Sequence, residues 1–295
     1  MSNSNTTMEQ PKKNGFFSNL ANPVLRKLER NGEYASSNAA TYKGIVIKTI
    51  FFLAITIIGV AISLVLHNLM ISSPTATLAH VADSKNGIYD LTVAGGELVI
   101  MVVVVAISII TPFIAWLVRP AIPIVGSLYS LAQGMLIGYI TIALAQEYKY
   151  ISLFAMLLTL ALVGGMLLVY AKRIIKVTAR FRGVITAIFF GIIVSGIIYF
   201  LLSLIPAVRN SGLFTGISTA FGNPIVSVII GIVYVILAAL FMLVDFDTIE
   251  RCVTNQVDEK YEWMAAWGLA YTILYIYFKI LRILLTILGN RSSRN

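Results

Sequence analysis

Long apolar runs, separated by short polar segments, occupy most of the chain from residue 45 onward. An α-helix needs about 20 apolar residues to cross a hydrocarbon core about 30 Å thick. These runs are too long and uniform for membrane barrel strands, in which apolar and polar residues alternate over about 10 residues. The pattern therefore predicts an all-α membrane protein with seven spanning helices, at 45–67, 92–117, 121–145, 151–171, 184–206, 225–244 and 263–285.

The same pattern divides the chain into a polar N-terminal arm (1–44), a seven-helix transmembrane domain (45–288) and a short tail (289–295). The arm lacks a short apolar core followed by a small-residue cleavage site. We therefore expect the first apolar run to be a membrane helix and not a removed signal peptide. Within the arm, residues 20–33 suit either a short basic helix on the membrane surface or a solvated segment.

Lysine and arginine residues lie mostly on one side of the predicted membrane. Cytoplasmic loops are enriched in these residues, so their placement predicts orientation. It places the protein in the cell membrane with its N-terminus in the cytoplasm and its C-terminus outside. Of 22 basic residues, fifteen, among them Arg119 and Arg182, lie in the predicted inner segments. The predicted outer segments hold only Lys85, Lys149, Arg209, Arg291 and Arg294.

Composition supports this class and argues against several others. The chain is 58% hydrophobic and 12% charged, with a mean hydropathy of +0.88, whereas soluble domains carry about 25% charged residues. Its net charge of +9 needs no nucleic acid, because basic residues on the inner face can meet anionic lipid headgroups. Cys252, His67 and His80 are too few for a thiolate or histidine metal site. No nucleotide-binding motif is present, so we expect neither a cofactor nor an enzyme.

Six of the thirteen acidic residues lie between Asp245 and Glu262, just after the sixth apolar run. An ionisable group at the edge of the hydrocarbon is costly to keep charged and marks a functional site by default. Asp245 and Asp247 are roughly 200° apart around a helix, so they cannot share a face. We predict that Asp247 forms a solvated pair with Arg251 at i+4. Most of the acids Asp247, Glu250, Asp258 and Glu259 are expected to decorate an inner loop.

Asp245 is the better candidate for an inward-facing carboxylate. It continues a helical face through Tyr234, Ala238 and Phe241. The small residue on that face would let another helix approach closely. The alternative is that both aspartates simply mark the end of the helix at the water boundary.

The seventh predicted helix carries a polar stripe among leucine, isoleucine and aromatic residues. A polar stripe along most of a spanning helix cannot face lipid, so we expect this helix to sit among the others or to line a wet cavity. Alternatively, Lys279 and Arg282 could extend their charged heads to the outer headgroups. The stripe comprises Ala265, Gly268, Thr272, Tyr275, Lys279, Arg282 and Thr286.

Two further charges lie at the ends of the second predicted helix. Arg119 is on the same side as Asp245, and Glu97 is at the level of Lys279 and Arg282. The topology permits an acid–base pair near each mouth of the bundle, with ordinary interfacial anchoring as the alternative. Burial disfavours the charged form of a carboxyl, whereas a nearby arginine favours it. Asp245 would be a proton switch in the first case and a latch or cation ligand in the second, and carboxylate oxygens suit calcium.

Several segments resemble, in order and spacing, those of the Bax inhibitor-1 family, and within it the bacterial branch that includes YccA-like proteins. The likeness covers roughly residues 22–288. The matching segments are Asn22-Pro-Val-Leu25, Tyr42-Lys-Gly44, Ile114-Ala-Trp-Leu-Val-Arg119, Leu243-Val-Asp-Phe-Asp-Thr-Ile249, Ala265-Ala-Trp-Gly-Leu-Ala-Tyr-Thr272 and the ending Ile280-Leu-Arg282.

This resemblance implies a bundle around a central seventh helix and a pH-sensitive calcium leak. In that scheme two buried aspartates, from helices six and seven, share a proton, and an arginine at the inner end of helix two latches the closed state. Asp245 takes the helix-six role and Arg119 the arginine role. Thr272 stands where the helix-seven aspartate would be, and threonine cannot ionise. Glu262, about 15 Å earlier along a helix, could substitute only if the start of helix seven were unwound.

The leading expectation is therefore a pH-modulated leak channel for cations, calcium above all, gated near Asp245 and Arg119 with Thr272, Asp247 and Glu262 close by. A proton-linked pathway is part of the same expectation. The alternative is a regulatory membrane protein that does not conduct and that binds a membrane protease or another protein partner. In that case the basic arm and the acidic 245–262 segment would carry the activity.

Overall fold

A computed structural model describes residues 39–72, 78–82, 90–144, 148 and 150–292. Residues 1–38 of the predicted arm and residues 293–295 of the tail lie outside these residues, and the last residues of the predicted arm already belong to the first helix, which begins at Tyr42. The helices are α1 (Tyr42–Ile71), α2 (Gly95–Leu117), α3 (Ile122–Ala143), α4 (Tyr150–Ala171), α5 (Ala179–Ser203), α6 (Pro206–Arg209), α7 (Gly212–Gly222), α8 (Pro224–Thr254) and α9 (Tyr261–Ser292). A 3₁₀ turn at Arg119–Ala121 joins α2 to α3, and the strands β1 (Leu78–Ala82) and β2 (Asp90–Ala94) form an antiparallel hairpin between α1 and α2.

Seven helices of the described part, α1 to α5 with α8 and α9, are long and apolar enough to cross a membrane. The predicted fold class is confirmed. Large apolar side chains such as Ile57, Val102, Leu153 and Ile229 are exposed on the outside of the bundle, as lipid contact requires. The hairpin and the short helix α7 were not predicted, because neither has a long apolar run.

Helix α8 is longer than its apolar run predicts. It continues for nine residues beyond Asp245, about 14 Å. Thr248 donates to the carbonyl of Val244, and Arg251 binds Asp247 one turn earlier, so the polar end remains helical. Most of the acids Asp247, Glu250, Asp258 and Glu259 were predicted in an inner loop, but Asp247 and Glu250 are on the helix.

Helices α1 and α3 pack at very short range because glycines face each other. A Cβ atom at Gly134 would meet the backbone carbonyl of Thr56, and one at Gly59 would lie 3.0 Å from the Cα of Gly134. Small residues let spanning helices approach closely and gain van der Waals contact. This contact fixes α1 and α3 as one side of the bundle.

We expect Gly134→Ala to lower the free energy of unfolding by about 1–3 kcal/mol, because a backbone atom on α1 occupies the space that the new methyl needs. Gly268→Ala is the matched control, because a Cβ there meets no atom within 4 Å. Alanine is also the better helix former, by about 1 kcal/mol. The free energy of unfolding, measured in mixed micelles, checks both variants. An equal decrease in the two variants would contradict the close α1–α3 contact.

Helix α9 is central, as predicted. It contacts α1, α3, α4 and α8, and its Ala266, Ala270 and Ile276 are fully buried. A buried hydrogen bond of 2.7 Å joins Tyr277 of α9 to Ser152 of α4. The functional groups of α9 are therefore positioned by four neighbouring helices.

Candidate functional site

Asp245 and Thr272 meet across the contact between α8 and α9. The Thr272 hydroxyl donates to Oδ2 of Asp245 over 2.6 Å and lies 3.2 Å from the carbonyl of Gly268. Thr272 is buried and Asp245 is half-buried. Within the described ranges, no ion pair includes Asp245. The structure therefore brings together the two residues that the family resemblance placed opposite each other, with a hydroxyl as the partner of the carboxylate.

Arg119 does not latch Asp245 in this structure. It lies on the 3₁₀ turn after α2, and no ion pair between it and Asp245 is present in the part of the chain that is described. The reason is the packing of α2, which lies mainly against α3 and not against α8 or α9. Being on the same side of the membrane was not sufficient to form the pair.

Asp247 is buried, which corrects its predicted role as a solvated residue. The residue is 8% exposed, and its carboxylate pairs with Arg182 at 3.2 Å and with Arg251 at 2.9 Å. The predicted i+4 pair with Arg251 is confirmed. Burial comes from α5, whose first turn carries Arg182, itself only 4% exposed. Sequence reasoning used Arg182 only as an inner-side charge.

A signal for Arg182 was nevertheless present in the sequence. A cation in the first turn of a helix opposes the helix dipole, so it needs an acidic partner from elsewhere. Asp247 supplies that charge across the α5–α8 contact.

Glu262 binds helix α1 and does not replace the missing helix-seven aspartate. It is 2% exposed and accepts from Lys48 Nζ at 2.6 Å and from the backbone N–H of Thr41 at 2.6 Å. Helix α9 begins regularly at Tyr261, so the unwound start that substitution would need is not present. Glu262 instead ties the start of α1 to the start of α9.

Asp258 lies in the loop between α8 and α9, as predicted. The backbone N–H of Lys260 donates to its Oδ1, and with the Lys260 ammonium at 3.3 Å it holds the pKa of the Asp258 carboxyl below its usual range. A carboxyl whose pKa is lowered in the folded state stabilises the fold at pH values above its pKa in the unfolded chain. That contribution is lost as the pH falls through the folded-state pKa.

At the opposite end of the bundle, Glu97 pairs with His67 and not with the cations of α9. The His67 Nδ1 lies 2.7 Å from Oε1 of Glu97, which is fully buried, and the backbone N–H of Ala94 donates to its Oε2. The pairing of Glu97 with Lys279 or Arg282, which the topology permitted, is not present among the described residues. Sequence reasoning missed His67 because two histidines seemed too few to matter.

The predicted stripes of α8 and α9 face each other along one line, here called the α8–α9 seam. From Asp245 to Ser227 the seam runs about 27 Å along α8, close to the thickness of the hydrocarbon core. The antiparallel pairing starts with Asp245 and Thr272, and Lys279 lies over the ring of Tyr234 at 4.4 Å. The seam consists of Ser227, Gly231, Tyr234, Phe241 and Asp245 on α8 with Thr272, Tyr275, Lys279, Arg282 and Thr286 on α9.

An aromatic layer crosses the seam between Asp245 and Lys279. Phe189 of α5 stacks on Phe241 of α8 with ring centroids 4.4 Å apart, and meets Tyr275 of α9 edge-on at 6.1 Å. Each ring comes from a different spanning helix, so the layer depends on all three helices. Phe189 was not predicted, because its apolar neighbours hide it in the sequence.

A cavity opens near each end of the bundle. One, of about 150 Å³, lies at the Lys279 end of the seam and is lined by Ser227, Tyr234, Lys279 and Arg282. The other, of about 400 Å³, lies between the end of α4, the following loop and the end of α8. The charged residues lining this second cavity are Arg173, Lys176, Asp247, Glu250 and Arg251.

This fold and these sites define a polytopic helical membrane protein whose helices are tied by buried ion pairs. The model of the family described as Bax inhibitor 1 like matches residues 22–289. The chain belongs to that family, as its motifs predicted. Comparisons with curated proteins and with solved structures gave no match. The bacterial branch stays a prediction.

Proposed function

We propose that this protein is a gated leak pathway for cations, with the α8–α9 seam as its route. The observation that carries the proposal is Asp245, a carboxylate in a spanning helix that is bound by Thr272 and has no cationic partner among the described residues. Intramembrane carboxylates of this kind typically mark ion or proton pathways. In the predicted orientation, Asp245 stands toward the cytoplasmic end.

Calcium is the cation that we assign to this route. Carboxylate and hydroxyl oxygens are the ligands that a hard cation takes, and Asp245 and Thr272 supply both. The resemblance to the Bax inhibitor-1 family points to the same ion. Thr272 cannot share a proton as a second aspartate would, so any proton dependence must come from Asp245 alone.

The aromatic layer is the closed gate in this proposal. Phe189 is the one member carried by α5, so opening requires α5 to move relative to α8 and α9. The Arg182–Asp247 ion pair holds the start of α5 on α8. We therefore assign the latch to Arg182, in place of Arg119.

Lys279 and Arg282 make the route a slow one for cations. Both line the cavity at the far end of the seam, where their charges repel a permeating cation. A slow leak suits this arrangement better than a channel of high conductance.

Asp245→Asn tests the proposal. The variant keeps the shape and the hydrogen bond with Thr272 but can neither carry charge nor exchange a proton. We expect calcium flux into proteoliposomes to fall about tenfold and to become independent of pH between about pH 6 and 8. Asp258→Asn, in the exposed loop, should leave flux unchanged. Flux of Asp245→Asn equal to that of the parent protein at every pH would remove Asp245 from the mechanism.

The larger cavity favours a second candidate, a regulatory role through a protein partner. Its mixed charges, with Lys176 and Arg173 beside Glu250, suit a charged peptide segment. The basic N-terminal arm is the other candidate contact for a partner, and deletion of residues 1–38 tests it. This deletion keeps the hydrogen bond from the Ala40 N–H to the carbonyl of Val257. Capture of a membrane-protein partner that depends on this arm or on Lys176, with calcium flux unchanged, would favour regulation over conduction.

A further inference from the structure

The small cavity at the Lys279 end of the α8–α9 seam concentrates positive charge. Lys279 and Arg282 both line it, together with the hydroxyl-bearing residues Ser227 and Thr286. Lys279 and Arg282 are three residues apart on one helical face, an arrangement in which like charges repel. Across the residues that the structure describes, no ion pair includes either of them.

Lys279 is held in place and does not extend freely to water. It is half-buried, with its ammonium 4.4 Å from the ring centroid of Tyr234 and 5.0 Å from that of Tyr275. Cation–π contacts of this kind offset part of the cost of burying the charge. They also fix the ammonium at the wall of the cavity, where a ligand would meet it.

Glu97, the acidic residue that the topology places at this end, already has a partner. Glu97 pairs with His67, so it does not neutralise Lys279 or Arg282. The cavity therefore has Lys279 held at its wall, the exposed cation Arg282, a serine hydroxyl and room for one small anionic group. Its remaining walls, which include Phe221, Ile230 and Ile283, are apolar.

We propose that this cavity is a binding site for a phosphate group, presented either by a lipid headgroup or by free phosphate. Lysine and arginine with hydroxyl donors are the usual partners of phosphate oxygens, and basic pockets between spanning helices bind lipid headgroups. The apolar walls at the rim suit the acyl chains of a lipid. This proposal does not depend on conduction through the seam.

The test compares the full chain with a variant that carries both Lys279→Met and Arg282→Gln. Both changes remove the charge; methionine is close to lysine in length, and glutamine keeps the first part of the arginine side chain and a polar end. Arg209→Gln is the matched control, because Arg209 is an exposed cation of the same membrane end and does not line the cavity. One arm titrates phosphatidylglycerol into protein in neutral detergent and counts retained lipids by native mass spectrometry. The other arm measures stabilisation by inorganic phosphate against chloride at equal ionic strength.

We expect the double variant to bind the phosphate-bearing probe about tenfold more weakly, and Arg209→Gln to bind it as the parent protein does. Loss in the lipid arm assigns the site to a headgroup, and loss in the inorganic arm alone assigns it to free phosphate. Equal binding by the parent protein and the double variant in both arms would overturn the proposal, as would no binding by the parent protein. Lys279→Arg, which keeps the charge, should retain binding, and a melting temperature of the double variant equal to that of the parent protein excludes misfolding as the cause.

Discussion

Asp247→Ala should lower the free energy of unfolding by about 3–5 kcal/mol, the cost of leaving one partner of a buried ion pair without the other. Arg182 is 4% exposed and pairs with Asp247 at 3.2 Å, so the change removes a carboxylate that compensates a buried charge. The loss should appear as a lower melting temperature of the purified protein in detergent. The rate of calcium leak into proteoliposomes should rise as well, because the ion pair that joins α5 to α8 is removed.

A matched control and a rescue separate this pair from general surface effects. Asp258→Ala removes an aspartate of the nearby loop whose partner, Lys260, is exposed, and should cost less than about 1 kcal/mol. Arg182→Met combined with Asp247→Leu replaces both charges by apolar groups and should recover most of the stability. A loss for Asp247→Ala no larger than that for Asp258→Ala would mean that the Arg182–Asp247 contact does not hold α5.

Phe189→Ala should raise calcium leak by up to about tenfold without unfolding the protein. A stacked aromatic pair contributes about 0.5–1.5 kcal/mol beyond its buried area, and Phe189 makes such a pair with Phe241 in the closed layer. Removing it destabilises the closed state and leaves a gap where an apolar constriction excluded water. Initial rates of calcium entry into proteoliposomes measure the effect.

Phe190→Ala is the control for this prediction. Phe190 is the neighbouring residue, is 56% exposed and lies outside the stack with Phe241. An equal rise in leak for Phe190→Ala would show that any loosening of α5 increases flux, and the aromatic layer would then not be the gate.

Hydropathy was sufficient to predict the seven spanning helices, because crossing hydrocarbon imposes a length and a composition that can be counted. Helical periodicity was sufficient to place Asp245 and Thr272 each on a stripe of its own helix, since each face follows from 3.6 residues per turn. The burial of Asp247 could not be obtained in this way. It depends on which helix covers the other side of α8, and the sequence of α8 does not contain that information.

The pairing of charged residues also depended on how the helices pack and not on local sequence. Arg119 and Arg182 were both predicted at the end of the bundle that holds the acids, and nothing in their local sequences ranked one above the other as a partner of α8. Packing decided it, because α2 lies against α3 whereas α5 lies against α8. Glu262 and Lys48 are likewise far apart in the chain, and their pairing follows from the contact of α1 with α9.

The sequence by itself determined the membrane class, the number of spanning helices, the central place of α9 and the two polar stripes. Those features are local, because they depend on runs and periods within single helices. Only the tertiary structure decided that the stripes form one seam, that Phe189 closes it and that Arg182, not Arg119, holds an aspartate of α8. These contacts join helices from distant parts of the chain, and their geometry follows from how the helices pack together.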